Sequence, residues 1–223
     1  MGKKSNIVLM RHSESKINKD MSLLSDKSQE EQIEINTNSG LSEKGVTETR
    51  EFSERLFSYF NSYNVKIYVS DFYRSFQTGA IISKRFEECI KYKSIRTGQI
   101  VATRYQDCGF VEDKRINEIN LLKYDNGPEM FKKILRELRN GFGNPNYSCS
   151  DPEIGKILNE KYLEMVSFLN EIEGNAIVVS HMLALSSLFM KTGVENEEKI
   201  RIANCDAFIY EKESVKRLIQ KQT

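Results

Sequence analysis

The 223-residue chain carries only two histidines, His12 and His181. Any imidazole chemistry must use one or both. Neutral imidazole can act as a nucleophile or proton carrier near neutrality, because its unperturbed pKa is ~6.5. Both histidines follow short apolar runs. Asn6-Ile7-Val8-Leu9-Met10 leads straight into Arg11-His12-Ser13-Glu14-Ser15, and Asn175-Ala176-Ile177-Val178-Val179 leads into Ser180-His181. A third run, Val65-Lys66-Ile67-Tyr68-Val69, ends at Ser70 and passes into a segment bearing Arg74, Gln77 and Thr78. Apolar runs rich in strand formers predict strands buried within a sheet. In open α/β sheets the ligand site lies beyond the carboxyl ends of the strands. Two imidazoles and two guanidiniums, Arg11 and Arg74, are therefore offered to one crevice. Helix N-termini there would add N–H donors and partial positive charge. Planar guanidinium groups match phosphate oxygens. The set reads as a trap for a small, doubly charged anion, with phosphate the obvious candidate.

The elements that must position these groups alternate. Helices are predicted from Ser42 to Tyr59, with Ser42 as N-cap and Val46, Phe52, Leu56, Phe57 and Phe60 on one face. A second runs from Phe72 to Phe86, with Phe72, Phe76, Ile81 and Ile82 as core contacts. Two more, Pro128 to Arg139 and Pro152 to Ile172, begin at prolines, which suit a first helical turn. The last spans Leu183 to Lys191 and stops near Gly193. Gln99 to Thr103 is a further strand candidate, and Asp206 to Glu211 with Val215 to Ile219 predicts a hairpin around Glu213-Ser214. This alternation implies a layered α/β fold with a mostly parallel sheet. Asp20 to Gly40 and Asn140 to Asp151 are long and polar, as lids tend to be. No internal repeat is present.

Composition narrows the partners. Thirty-three basic against thirty-two acidic residues leave a formal charge of +1, which argues against a nucleic-acid binder. With 39% hydrophobic and 29% charged residues, the chain can bury one sizeable core, so a single domain over residues 1–223 is expected. No apolar run approaches the ~20 residues that span a bilayer, and no secretory signal is legible. Met1-Gly2 does not open a myristoylation pattern, because Asn6 sits where Ser or Thr is wanted. Cys89, Cys108, Cys149 and Cys205 are scattered with no CxxC pair, so they read as reduced thiols of a cytoplasmic protein with no structural zinc site. Nothing in the sequence specifies an oligomeric state.

Taken together, several segments resemble the histidine phosphatase superfamily, the phosphoglycerate mutase-like group. Leu9-Met10-Arg11-His12-Ser13-Glu14-Ser15 followed by Asn18 is similar to its Arg-His-Gly-Glu signature. Leu41-Ser42-Glu43-Lys44-Gly45 resembles its Leu-Thr-x-x-Gly helix start. Ser70-Asp71-Phe72-Tyr73-Arg74-Ser75-Phe76-Gln77-Thr78 resembles its Ser-x-x-x-Arg-x-x-Gln-Thr segment. Arg115-Ile116-Asn117-Glu118-Ile119 is similar to its Leu-Asn-Glu-Ile stretch, and Ser180-His181 to its final Ser-His. The segments keep the family's order and span most of the chain.

The resemblance implies a three-layer α/β/α sandwich, phosphoglycerate mutase-like, with a small cap from insertions at about 19–40 and 121–152. It implies a phosphomonoester hydrolase of small phosphorylated substrates, working without metal or other cofactor. His12 would be the nucleophile and form a phosphohistidine, splitting one hard hydrolysis into two easier steps. Arg11, Arg74 and His181 would bind the phosphoryl oxygens and stabilise an in-line transition state. Asn18 and Ser13 would add phosphate contacts. Glu118 would serve as general acid and then base, with Glu14, Glu112 and Asp113 as rival carboxylates. Two family glycines are replaced, by Ser13 and by Met182.

Two other functions compete. A cofactor-dependent phosphoglycerate mutase would return the phosphoryl group to a second hydroxyl, but the Glu-Arg-x-Tyr-Gly segment of such mutases is Asn117-Glu118-Ile119-Asn120 here. A catalytically weakened module that only binds a phospho-ligand is the third reading, favoured by Ser13 and Met182 and opposed by the complete set of charged groups.

Overall fold

A computed structural model describes residues 6–60, 65–97, 110–124, 127–141, 144, 146–195, 202–211 and 214–219. Among the described residues six strands form one sheet. They are β1 (Ile7–Arg11), β2 (Val65–Val69), β3 (Phe110–Glu112), β4 (Asn175–Ser180), β5 (Ala207–Tyr210) and β6 (Val215–Ile219), arranged 3-2-4-1-5-6. The block β3-β2-β4-β1 is parallel. Only β5 runs against its neighbours, pairing antiparallel with β1 and with β6. Register places Arg11 opposite Ser180, so the two histidine-bearing strand ends leave the sheet side by side. The predicted strands at β1, β2 and β4 and the C-terminal hairpin are present. The three-residue β3 was not predicted, and the Gln99 to Thr103 candidate lies outside the described residues.

The sheet is apolar on both faces because both are covered, and side chains alternate along each strand. Ile7, Leu9, Ala176, Val178 and Phe208 pack against α6 (Pro152–Asn170) and α7 (Met182–Thr192). Val8, Met10, Ile67, Ile177 and Val179 pack against α3 (Glu43–Phe60) and α4 (Tyr73–Thr97). This is the expected three-layer α/β/α arrangement. A smaller apolar cluster joins α5 (Gly127–Gly141), through Met130, Ile134 and Leu138, to α6 and α7. No helix among the described residues is long and apolar enough to cross a membrane.

Two glycines have a clear physical reason. A Cβ on Gly45 would lie 2.1 Å from the Glu14 carbonyl oxygen, so only glycine lets α3 start against the loop after β1. Gly193 ends α7 at φ 72° and ψ 174°, a positive-φ backbone that glycine alone adopts readily. One core expectation fails. Phe76 is exposed, stacked on Tyr73 at the outer face of α4, while Phe72, Ile82 and Phe86 point inward. Four-residue spacing from Phe72 brought Phe76 close to the apolar stripe without placing it on the stripe's buried side.

The polar segment after β1 is helical rather than irregular. It comprises α1 (Lys16–Lys19), a 3-10 turn at Met21–Leu24, and α2 (Gln29–Asn38). α2 begins with a capping box in which Ser28 and Glu31 satisfy each other's backbone N–H groups. None of its residues is buried.

Candidate active site

The carboxyl ends of β1, β2 and β4 bring His12, Arg74 and His181 together, all nearly or fully buried. The two imidazole centroids lie 4.9 Å apart, edge to face. His12 Nδ1 donates to the carbonyl of Ser13 at 2.7 Å, which leaves Nε2 with a lone pair. Arg74 Nε donates to that Nε2 at 3.1 Å. His181 Nε2 lies 2.6 Å from the Ser70 hydroxyl. Ser70 Oγ also accepts from Phe72 N–H at 3.4 Å. His181 Nδ1 is buried with no hydrogen-bond partner among the described residues. Phe72 packs edge-on to His181 and under the Arg74 guanidinium, 4.6 Å from its centroid.

Burial holds both imidazoles well below the usual histidine pKa, and the Arg74 and Arg11 charges push the same way. Both rings are neutral at neutral pH. Burial also brings Arg74 down to about 10, still cationic. A neutral nitrogen lone pair beside fixed positive charge suits attack on an electron-poor centre bearing negative oxygens.

Glu118 lies within electrostatic reach of Arg74 and Arg11. Its carboxylate accepts from the N–H groups of Leu183 and Ala184, at 3.2 and 3.1 Å, in the first turn of α7, and from Ile119 N–H. Burial raises its pKa, while the backbone donors and the two arginines push back. These opposed influences suit a carboxyl that must hold a proton and then give it up. Its segment is braced twice: Ser180 Oγ donates to the Ile116 carbonyl, and Asp71 N–H donates to Asn117 Oδ1. The rival carboxylates are engaged elsewhere. Glu14 accepts from Ser42 Oγ, Asp113 caps a 3-10 turn and pairs with Arg115, and Glu112 is exposed on β3.

The other expected phosphate ligands sit differently. Arg11 is half-buried, and its guanidinium donates to the carbonyl of Ile202 at 2.8 Å. Asn18 is exposed and forms a capping box with Ser15 at the start of α1. The Ser13 hydroxyl turns away from the imidazoles, towards Thr49 and Cys205. Sequence reading also missed a contact from the cap. The carbonyl of Asn36, in the last turn of α2, accepts from Arg74 at 2.5 Å. Terminal helix carbonyls lack intrahelical partners and carry partial negative charge, so the guanidinium has found an anion-like oxygen. Beyond Glu118 a cavity of about 450 Å³ opens, lined among others by Thr37, Phe72, Lys114, Asn120, Tyr124 and Lys161.

The doubly wound sheet thus ends in two neutral imidazoles, a buried arginine and a carboxylate that caps a helix. The model of the histidine phosphatase superfamily (branch 1) matches residues 7–221, and the chain belongs to that superfamily. No curated protein matches it by sequence. Among solved structures it is similar to a phosphoglycerate mutase from Bacillus anthracis, at 14% identity and TM-score 0.54 over 95% of this chain and 90% of that one. It is also similar to a phosphoserine phosphatase mutant from Entamoeba histolytica solved with phosphoserine, at 16% identity and TM-score 0.52 over 97% and 96% of the two chains. At these identities the likeness speaks for the fold.

Proposed function

We propose that the protein hydrolyses phosphomonoesters through a phosphohistidine on His12. The observation that carries this reading is the His12 ring itself, with its Nδ1 proton taken up by Ser13 and its Nε2 lone pair beside Arg74 and His181. In the first step Nε2 attacks phosphorus in line with the ester oxygen. The P–O bond breaks, and protonated Glu118 gives its proton to the leaving alkoxide. Arg74, Arg11 and the Nδ1–H of His181 hold the phosphoryl oxygens. In the second step Glu118, now a carboxylate, takes a proton from water as the water oxygen attacks phosphorus. The N–P bond breaks, releasing inorganic phosphate and neutral His12. Fixed donors cost no reorganisation at the transition state, which is the main source of catalysis in such transfers.

The insertions at about 19–40 and 121–152 act as a cap. Gln29 of α2 donates to the Leu122 carbonyl and links the two. A phosphoryl oxygen replaces the Asn36 carbonyl on Arg74, and the alcohol part of the substrate occupies the cavity beside Glu118. The test is p-nitrophenyl phosphate hydrolysis by the wild type and His12→Ala. Loss of turnover in the variant is expected, and equal rates overturn the reading. Incubation with 3-phosphoglycerate and a bisphosphoglycerate primer is expected to release inorganic phosphate. Isomerised product without free phosphate would make the protein a mutase.

A further inference from the structure

Ser13 stands where the family signature has glycine, and its side chain is fully buried. Its hydroxyl lies 2.5 Å from Thr49 Oγ1 and 2.7 Å from Cys205 Sγ, both buried as well. The proton directions follow from what each group already does. Thr49 donates to the Gly45 carbonyl one turn back on α3, at 2.6 Å. A hydroxyl has one proton, so Thr49 Oγ1 meets Ser13 as an acceptor and Ser13 donates. Ser13 Oγ in turn accepts from the Cys205 thiol. The chain runs from Cys205 S–H through Ser13 and Thr49 to the Gly45 carbonyl.

Both ends of this chain are tied to the site. Gly45 abuts the backbone of Glu14. Cys205 sits at φ 64°, in the turn before β5. That turn also supplies the Ile202 carbonyl to the Arg11 guanidinium and the Asp206 carbonyl to the Arg11 N–H. The main chain of Ser13 is committed on both sides. Its N–H donates to Thr78 Oγ1, whose own proton goes to the Arg74 carbonyl, and its C=O takes the Nδ1 proton of His12. Every polar atom of Ser13 therefore has an assigned partner. Fully satisfied buried networks of this kind rigidify what they touch.

We propose that the Cys205–Ser13–Thr49 chain positions the nucleophile: it fixes the Ser13 carbonyl that holds the Nδ1 proton of His12 and so keeps the Nε2 lone pair facing the phosphoryl site. The proposal rests on His12 being the nucleophile. Ser13, Thr49 and Cys205 are positioning residues that act through His12 and touch no substrate. Glycine at position 13 would have no side chain to tie; here the anchor runs through the hydroxyl.

The test pairs kinetics with a signal that does not depend on turnover. Histidine-selective ¹⁵N labelling reports the tautomers of just two rings, and His181→Asn assigns them. The wild type is expected to show His12 with its proton on Nδ1. Ser13→Ala and Thr49→Val are expected to mix the two tautomers. They should lower kcat for p-nitrophenyl phosphate about 10-fold, since a misplacement of about 1 Å can cost roughly 100-fold, with KM moving less than about twofold. Thr49→Ser keeps the oxygen and is expected to restore both signals. Should Thr49→Val not fold, Cys205→Ser against Cys205→Ala repeats the comparison at the donor end, the serine retaining the tautomer and the alanine losing it. Folded Ser13→Ala and Thr49→Val proteins with wild-type tautomer and kcat would overturn the positioning role while leaving the hydrolase reading intact. A tautomer shift in a protein that cleaves no phosphate ester would overturn the hydrolase reading and with it the nucleophile's part in the proposal, leaving only the control of the His12 tautomer by the Ser13 chain.

Discussion

The strand-end site and the cap are built on opposite principles. His12, Arg74 and His181 stand on strands and a helix whose inner faces are fully buried, and each has at least one side-chain or backbone bond fixing its angle. Helix α2 has no fully buried residue; Gln29 ties it to Leu122 of the second insertion, and the Asn36 carbonyl ties it to Arg74 of the body. The geometry of the histidine cluster is held by apolar packing, which resists displacement. The entrance is held by hydrogen bonds that a ligand can replace at small cost, since a typical one contributes only about 0.5–1.5 kcal/mol net. The contrast teaches where substitutions should stop the chemistry and where they should only change access to it.

The sharpest break comes at His12. His12→Ala is expected to lower kcat by roughly 10⁴-fold or more with the unfolding transition retained, measured by steady-state hydrolysis and chemical denaturation. Glu118→Gln should lower kcat/KM, which reports the first transfer alone, by about 10²–10⁴-fold on alkyl phosphates. It should do much less on p-nitrophenyl phosphate, whose leaving group needs no acid. Equal losses on both substrates would remove Glu118 from the acid role.

Stability separates the regions next. Leu9→Ala, in the middle of β1 with no exposed surface, should cost about 2–5 kcal/mol of unfolding free energy. Ser28→Ala should cost about 1 kcal/mol. That loss should fall on α2 alone, seen as faster amide exchange over Gln29–Asn38 and a KM change rather than a lower global midpoint.

The buried imidazoles also make stability depend on pH. Their folded pKa lies below the unfolded value of ~6.5, so the unfolded chain binds more protons. Stability is then full above that pH and falls as pH drops below it. Two such groups give up to about 2.7 kcal/mol per pH unit. Glu118 opposes this with up to one proton, because its folded pKa is raised and the native state holds the proton longer. His181→Asn should remove up to about 1.4 kcal/mol per pH unit of the slope between pH 6.5 and 5, measured by urea denaturation. An unchanged slope would show that His181 is not held neutral.

Much of this was legible because the site rides on regular elements. Apolar runs ending in Arg11-His12, Ser70 and Ser180-His181 fit buried strands, and buried parallel strands deliver their next residues to one edge. β3 was not legible because three residues carry no periodicity. α2 was missed for the opposite reason: it has no apolar face to give a helical period, although Ser28 and Glu31 stand at capping-box spacing. Side-chain direction was the least readable. Nothing in the order of residues shows that Ser13 turns towards Thr49 and Cys205, because those partners are fixed only once α3 and the Cys205 turn pack around the loop. The backbone carbonyl of Asn36 on Arg74 has no side-chain signature at all.

The central claim is covalent transfer through His12. Rapid mixing with a phosphate ester, an alkaline quench that preserves phosphoramidates, and peptide mass spectrometry test it directly. The account predicts a phosphoryl group on the peptide containing His12, formed within the first turnover and lacking in His12→Ala. Full turnover with no phosphorylated His12, together with inversion at a chiral phosphorus, would contradict it.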